Sequence, residues 1–182
     1  MRINLLCASA FLLVPLAVTP TLWAQVFDNP AAAAADEDFP VQGEYVGTNQ
    51  AMQVIARGDG NFEIVVYALG LPGAGWDKSP PRRVDGDADT VDQLVESMGL
   101  KRVERKSPTL GAKPPADAIV LFDGSEASLR ANWNDGAKRT EDGLLVQGAT
   151  SKQTFGDYRL HLEFMTPFMP TASGQGRGNS GV

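Results

Sequence analysis

Met52-Gln53-Val54-Ile55-Ala56-Arg57, then Gly58-Asp59-Gly60-Asn61, then Phe62-Glu63-Ile64-Val65-Val66-Tyr67-Ala68 reads as a β-hairpin. Two runs rich in apolar and β-branched residues flank a Gly/Asp/Asn turn, the residue types that tolerate the positive φ a tight reversal needs. Upstream, Gly43-Glu44-Tyr45-Val46-Gly47 adds a short strand. Downstream, Gly70-Leu71-Pro72-Gly73-Ala74-Gly75-Trp76 breaks the pattern; it lacks the Lys-Ser/Thr pair of a phosphate loop and Pro72 interrupts it, so a tight structural loop is expected. A short helix is predicted after Asp89. Thr90 and Gln93 have capping-box spacing, Val91, Leu94, Val95 and Met98 share one face, and Gly99 is placed to stop it. Lys101, Arg102, Arg105 and Lys106 form a small basic cluster, expected to be solvated. Residues 41–106 are thus expected to be a small β-rich domain with one short helix, and 107–117, from Ser107-Pro108 to Pro114-Pro115, a stiff Pro-rich connector and domain boundary.

The chain as a whole has 182 residues, with 16 Lys+Arg against 22 Asp+Glu, one His and one Cys. A net charge of -6 offers no basic excess to neutralise a row of phosphates, so nucleic acid is not an expected partner. With 19 Gly and 12 Pro, turn-rich β-structure is favoured over a helical bundle.

Residues 1–24 read as a secretory signal peptide. Arg2 is their only charge, an apolar run extends from Leu5 to Val18, and Ala24 precedes the expected cleavage before Gln25. Pro15 and Pro20 interrupt the run, so no stable membrane anchor is expected after cleavage, and the mature protein is expected in the periplasm or outside the cell. Cys7 leaves with the signal, which removes disulfides, thiolate metal sites and cysteine nucleophiles together. Residues 25–40, with Ala31 to Ala35 followed by Asp36, Glu37 and Asp38, are expected to be a flexible linker, because five alanines are too few to hold a helix alone.

In the C-terminal third, Ala118 to Phe122 and the segments around the turn Glu141-Asp142-Gly143 look like short strands, while Asp123-Gly124 reads as a turn. Tyr158-Arg159-Leu160-His161-Leu162-Glu163-Phe164 alternates strictly. As a strand it puts Tyr158, Leu160, Leu162 and Phe164 on one face and Arg159, His161 and Glu163 on the other. Same-face neighbours would stand about 6.5 to 7 Å apart, close enough for a guanidinium, an imidazole and a carboxylate to line one groove as electrophile, proton shuttle and base. The same pattern also suits an ordinary strand showing charges to water. No cofactor is indicated and no metal site is assigned, though carboxylates leave a divalent metal open; Asp85-Gly86-Asp87-Ala88-Asp89 lacks the closing Glu of a calcium loop and is expected to be an acidic turn.

Val120-Leu121-Phe122-Asp123-Gly124, Trp133, Glu141-Asp142-Gly143, Phe155-Gly156-Asp157-Tyr158 leading into Leu160 to Phe164, and Arg177-Gly178-Asn179-Ser180-Gly181-Val182 together resemble, in order and spacing, the 3-keto-disaccharide hydrolase family. Residues 41–106 and the connector look like the leader domain found before that domain in planctomycete-type proteins. The resemblance implies a mainly β fold, a concanavalin-like and laminin-G-like β-sandwich, of which 118–182 would be the N-terminal part. It also implies a carbohydrate substrate, with Glu163 as base or sugar-binding carboxylate, His161 as acid, and Arg159, Asn179 and Ser180 as substrate-binding groups. The family pattern continues into further strands, so the chain is expected to be truncated. The rival expectations are a non-catalytic carbohydrate-binding or adhesion module and an inactive fragment.

Overall fold

In a computed structural model, residues 25–178 and Gly181 are described. The signal-peptide expectation for 1–24 lies outside them, and no helix among them is long and apolar enough to cross a membrane.

The chain is mainly β. Strands β1 (Gly43–Val46), β2 (Gln50–Gly58), β3 (Asn61–Ala68) and β4 (Arg82–Gly86) run as an antiparallel meander. Helix α2 (Ala88–Ser97) then carries the chain back across the sheet, so that β5 (Lys101–Val103) pairs with β1 and the order is β4-β3-β2-β1-β5. A one-turn helix, α1 (Pro30–Ala33), precedes the sheet, and α3 (Glu126–Asn132) follows it.

The hairpin forms as its sequence dictates. Gly58, Asp59 and Gly60 all take positive φ (88°, 55° and 75°), and the register shifts between Ala56 and Gly58 to absorb the extra residue. β2 and β3 are buried along one face and over part of the other, which explains their predominantly apolar character. Met52, Val54, Ala56, Phe62 and Ile64 meet α2 through Val91, Leu94, Val95 and Met98. On the opposite face Ala51, Val65 and Tyr67 are covered by Leu71 and Trp76 from the 70–76 loop. That loop is tight: a Cβ on Gly70 would lie 2.2 Å from the Ala74 carbonyl oxygen.

Several expectations need correction. The helix starts at Ala88 with Asp87 as its cap, not after Asp89 with Thr90 as cap; Asp87 Oδ1 accepts from the Thr90 amide at 2.9 Å and from Thr90 Oγ1 at 2.7 Å. The carboxylate prevails because it meets the exposed N–H groups and the positive end of the helix with a full charge. Asp87→Ala should cost about 1 kcal/mol in denaturant unfolding, with Asp87→Ser recovering most of it. The Asp85–Asp89 segment is therefore a strand end and a helix cap. The basic cluster is exposed, as expected, but part of it is structured: Lys101–Val103 form β5, Arg102 donates to the Gln42 carbonyl at 2.7 Å, and Arg105 grips Glu44 and donates to the Pro72 carbonyl at 2.9 Å. Arg105 holds the Glu44 carboxyl below its ordinary range, with Gln53 adding a hydrogen bond.

Residues 25–40 are not a free linker. Ala33 is 1% exposed and Asp38 4%, and Phe27 and Phe39 pack on the sheet's helical face. The alanine run succeeds here because Asn29 caps α1, Pro30 opens it, and Ala33 is buried against the sheet's helical face.

The second partner in this packing comes from 118–182. Phe168 exchanges two backbone hydrogen bonds with Phe27, each 2.9 Å, and its ring lies 5.7 Å from Phe27 and 5.1 Å from Phe39. Arg177 donates to the Ala56 carbonyl at 2.6 Å and to Gln42 Oε1 at 3.1 Å. Burial, together with the Arg57 charge, pulls the Arg177 pKa down. The boundary expected at 107–117 thus does not separate two cores: the 165–178 end is built onto the first sheet.

Between 118 and 166 the described residues contain α3 and isolated bridges, Trp133 with Ser151 and Arg139 with Leu145, but no ladder strand. Ala118 to Phe122 is irregular, and Asp123 accepts from the Ser125 amide at 2.9 Å in the turn leading to α3. The two-sheet sandwich is not assembled among these residues. Tyr158 to Phe164 has no ladder partner among the described residues, and its alternation buries neither face there.

Candidate functional site

Glu163 is the centre of the side-chain cluster nearest to the predicted site. Its Oε1 accepts from Thr109 Oγ1 at 2.5 Å and from Ser107 Oγ at 2.9 Å, and His161 Nε2 lies 3.4 Å from the same oxygen. The two hydroxyls contact each other at 3.0 Å, and the Thr109 amide donates to Ser107 Oγ at 3.3 Å. This small turn, closed by Leu110 donating to the Ser107 carbonyl at 3.2 Å, presents both hydroxyls on one side.

The hydrogen bond from Thr109, then that from Ser107, holds the Glu163 carboxyl below its ordinary range, and His161 contributes in the same direction. The cluster is an anion held by two neutral donors beside an imidazole. Its side chains stand open: His161 is 66% exposed and Glu163 30%. Thr109→Val should move the Glu163 titration to higher pH, because the strongest donor to the ionised form is lost; the carboxyl carbon shift followed by NMR across pH 2–6 reads this directly.

Of the five predicted site residues, the structure brings together Glu163 and His161. Arg159 is exposed and makes no side-chain hydrogen bond or ion pair among the described residues. Asn179 and Ser180 lie outside the described residues. Ser107 and Thr109 fall in the segment expected to be a connector; their partner is 54 to 56 residues away, and no local spacing signals such a contact.

A cleft of about 200 Å³ lies among Phe27, Asn29, Phe39, Gln42 and Phe168, and its lining includes none of Arg159, His161 and Glu163. Among the described residues no group of three or more His, Cys, Asp or Glu is gathered as a metal site. Compared with models of known protein families, with curated proteins and with solved structures, the chain matches none of them.

Proposed function

We propose that the chain is an exported hydrolase acting on glycosides, of the kind that processes 3-keto glycosides or 3-keto disaccharides. The reading is supported by the family resemblance of 118–182. The geometric observation that carries it is the pairing of an ionised carboxylate with an imidazole at 3.4 Å on an accessible surface.

A ketone at C3 acidifies the hydrogen on C2. A base removes that proton, the electron pair forms the C1–C2 double bond, and the glycosidic oxygen leaves C1 with a proton from an acid. Water then adds back across the double bond to give the free 3-keto sugar. Glu163 is the base or the carboxylate that holds the sugar, His161 the acid, and Arg159 the cation at the ketone oxygen. The hydroxyls of Ser107 and Thr109 keep Glu163 ionised and oriented.

A second reading, a carbohydrate-binding module without turnover, is favoured by an exposed aromatic pair. Phe155 and Tyr158 meet edge to face with centroids 6.4 Å apart, and Tyr158 is 67% exposed, as a sugar-stacking platform requires. Incubating the chain with a 3-keto glucoside carrying a chromogenic aglycone separates the two. Release supports the hydrolase; saturable binding without release supports the module.

A further inference from the structure

We propose that Tyr158 to Phe164 is a self-recognition edge through which two copies of the chain pair antiparallel, about a two-fold axis passing at His161. This does not depend on the carbohydrate reading; in the paired form Arg159 and Glu163 are held by the other copy, so a substrate would meet them only in the monomer.

The first support is what the segment leaves unused. Its backbone N–H and C=O groups make no backbone hydrogen bond among the described residues. Tyr158, Leu160, Leu162 and Phe164 are 67%, 45%, 44% and 71% exposed. A row of unpaired amides flanked by apolar side chains is a template for another strand.

The second support is charge complementarity, and it identifies the occupant. Along the segment the order is aromatic, cation, Leu, His, Leu, anion, aromatic, which is matched to its own reverse. With His161 facing its copy, Arg159 stands opposite Glu163 twice, Leu160 opposite Leu162, and Tyr158 opposite Phe164. A slip of one residue sets apolar side chains against polar ones. A two-residue slip one way puts Asp157 opposite Glu163, and the other way leaves Arg159 facing Met165. In-register parallel stacking places Arg159 on Arg159 and Glu163 on Glu163. The centred antiparallel register alone among these satisfies both charges.

The groups concerned are free to pair. Thr109, Ser107 and His161 all approach Oε1 of Glu163, so Oε2 has no hydrogen bond among the described residues, and the Arg159 guanidinium has none either. The pairing is isologous: each copy gives and receives the same contacts, so it closes as a dimer.

Charge exchange tests this by sedimentation velocity on the full chain at about 50 µM. The wild type should sediment as a dimer. Arg159→Glu and Glu163→Arg should each weaken the dimer about tenfold or more, because each sets two like-charge pairs face to face. Mixing the two variants should restore dimers, since each then meets opposite charges at both positions, and this also shows that both variants fold. A wild type that stays monomeric, single exchanges that leave the dimer intact, or a mixture that stays monomeric would each overturn the proposal.

Discussion

Replacing Phe168 by Ala is expected to lower the stability of the whole β-rich body by about 3–5 kcal/mol, the usual cost of removing a large buried aromatic. Phe168 is 6% exposed and touches the rings of Phe27 and Phe39, while its backbone pairs with Phe27. The loss should therefore appear at both ends of the described chain. In hydrogen exchange, residues 25–40 and 165–178 should lose protection together, and the slowest amides of the β2–β3 hairpin should fall with them, since they share one core. A cost below about 1 kcal/mol with protection unchanged would mean that the two segments do not share a core with the sheet.

Glu163→Gln is expected to lower turnover of a 3-keto glycoside by about 10²- to 10⁴-fold, the contribution of a positioned acid–base group. The substitution keeps the shape and the oxygen that accepts from Thr109 and Ser107, and it removes the negative charge. Because the residue lies at the surface, thermal stability should change by less than about 0.5 kcal/mol. If turnover stayed at the wild-type rate, Glu163 would not be the base. The proton would then have to be taken by another group, and His161→Gln would be the next variant to compare.

The β2–β3 hairpin was legible because its information is local: the turn Gly58 to Asn61 and the apolar runs on either side lie within one stretch. The same holds for the inward face of α2, although its start was misplaced, since Thr90 with Gln93 imitates a capping box when Asp87 holds the better charge. β4 and β5 were not legible. As edge strands they turn one apolar residue each toward the cores, Val84 and Val103, and otherwise carry Gly86 and charged residues, Arg82, Arg83 and Asp85 in β4 and Lys101 and Arg102 in β5, that suit an edge.

The strand predicted at 158–164 shows the opposite failure. Periodicity records which side chains could share a face, but a strand exists only when another backbone supplies its hydrogen bonds. Residues 25–40 looked too polar and too small to bury; Ala33 and Phe39 do so because Phe168 arrives from far along the chain. At the candidate site, the alternation singles out His161 and Glu163, which stand two residues apart and meet at 3.4 Å without a strand. Ser107 and Thr109 did not, because a contact across more than fifty residues leaves no mark in spacing.

The most direct test is to run the reaction in D₂O with a 3-keto glucoside and follow it by proton NMR. Removal of the C2 proton by the chain predicts aglycone release together with a 3-keto sugar carrying deuterium at C2, absent or strongly slowed in Glu163→Gln. Release with the C2 hydrogen fully retained, or no release at all from the folded chain, would contradict it.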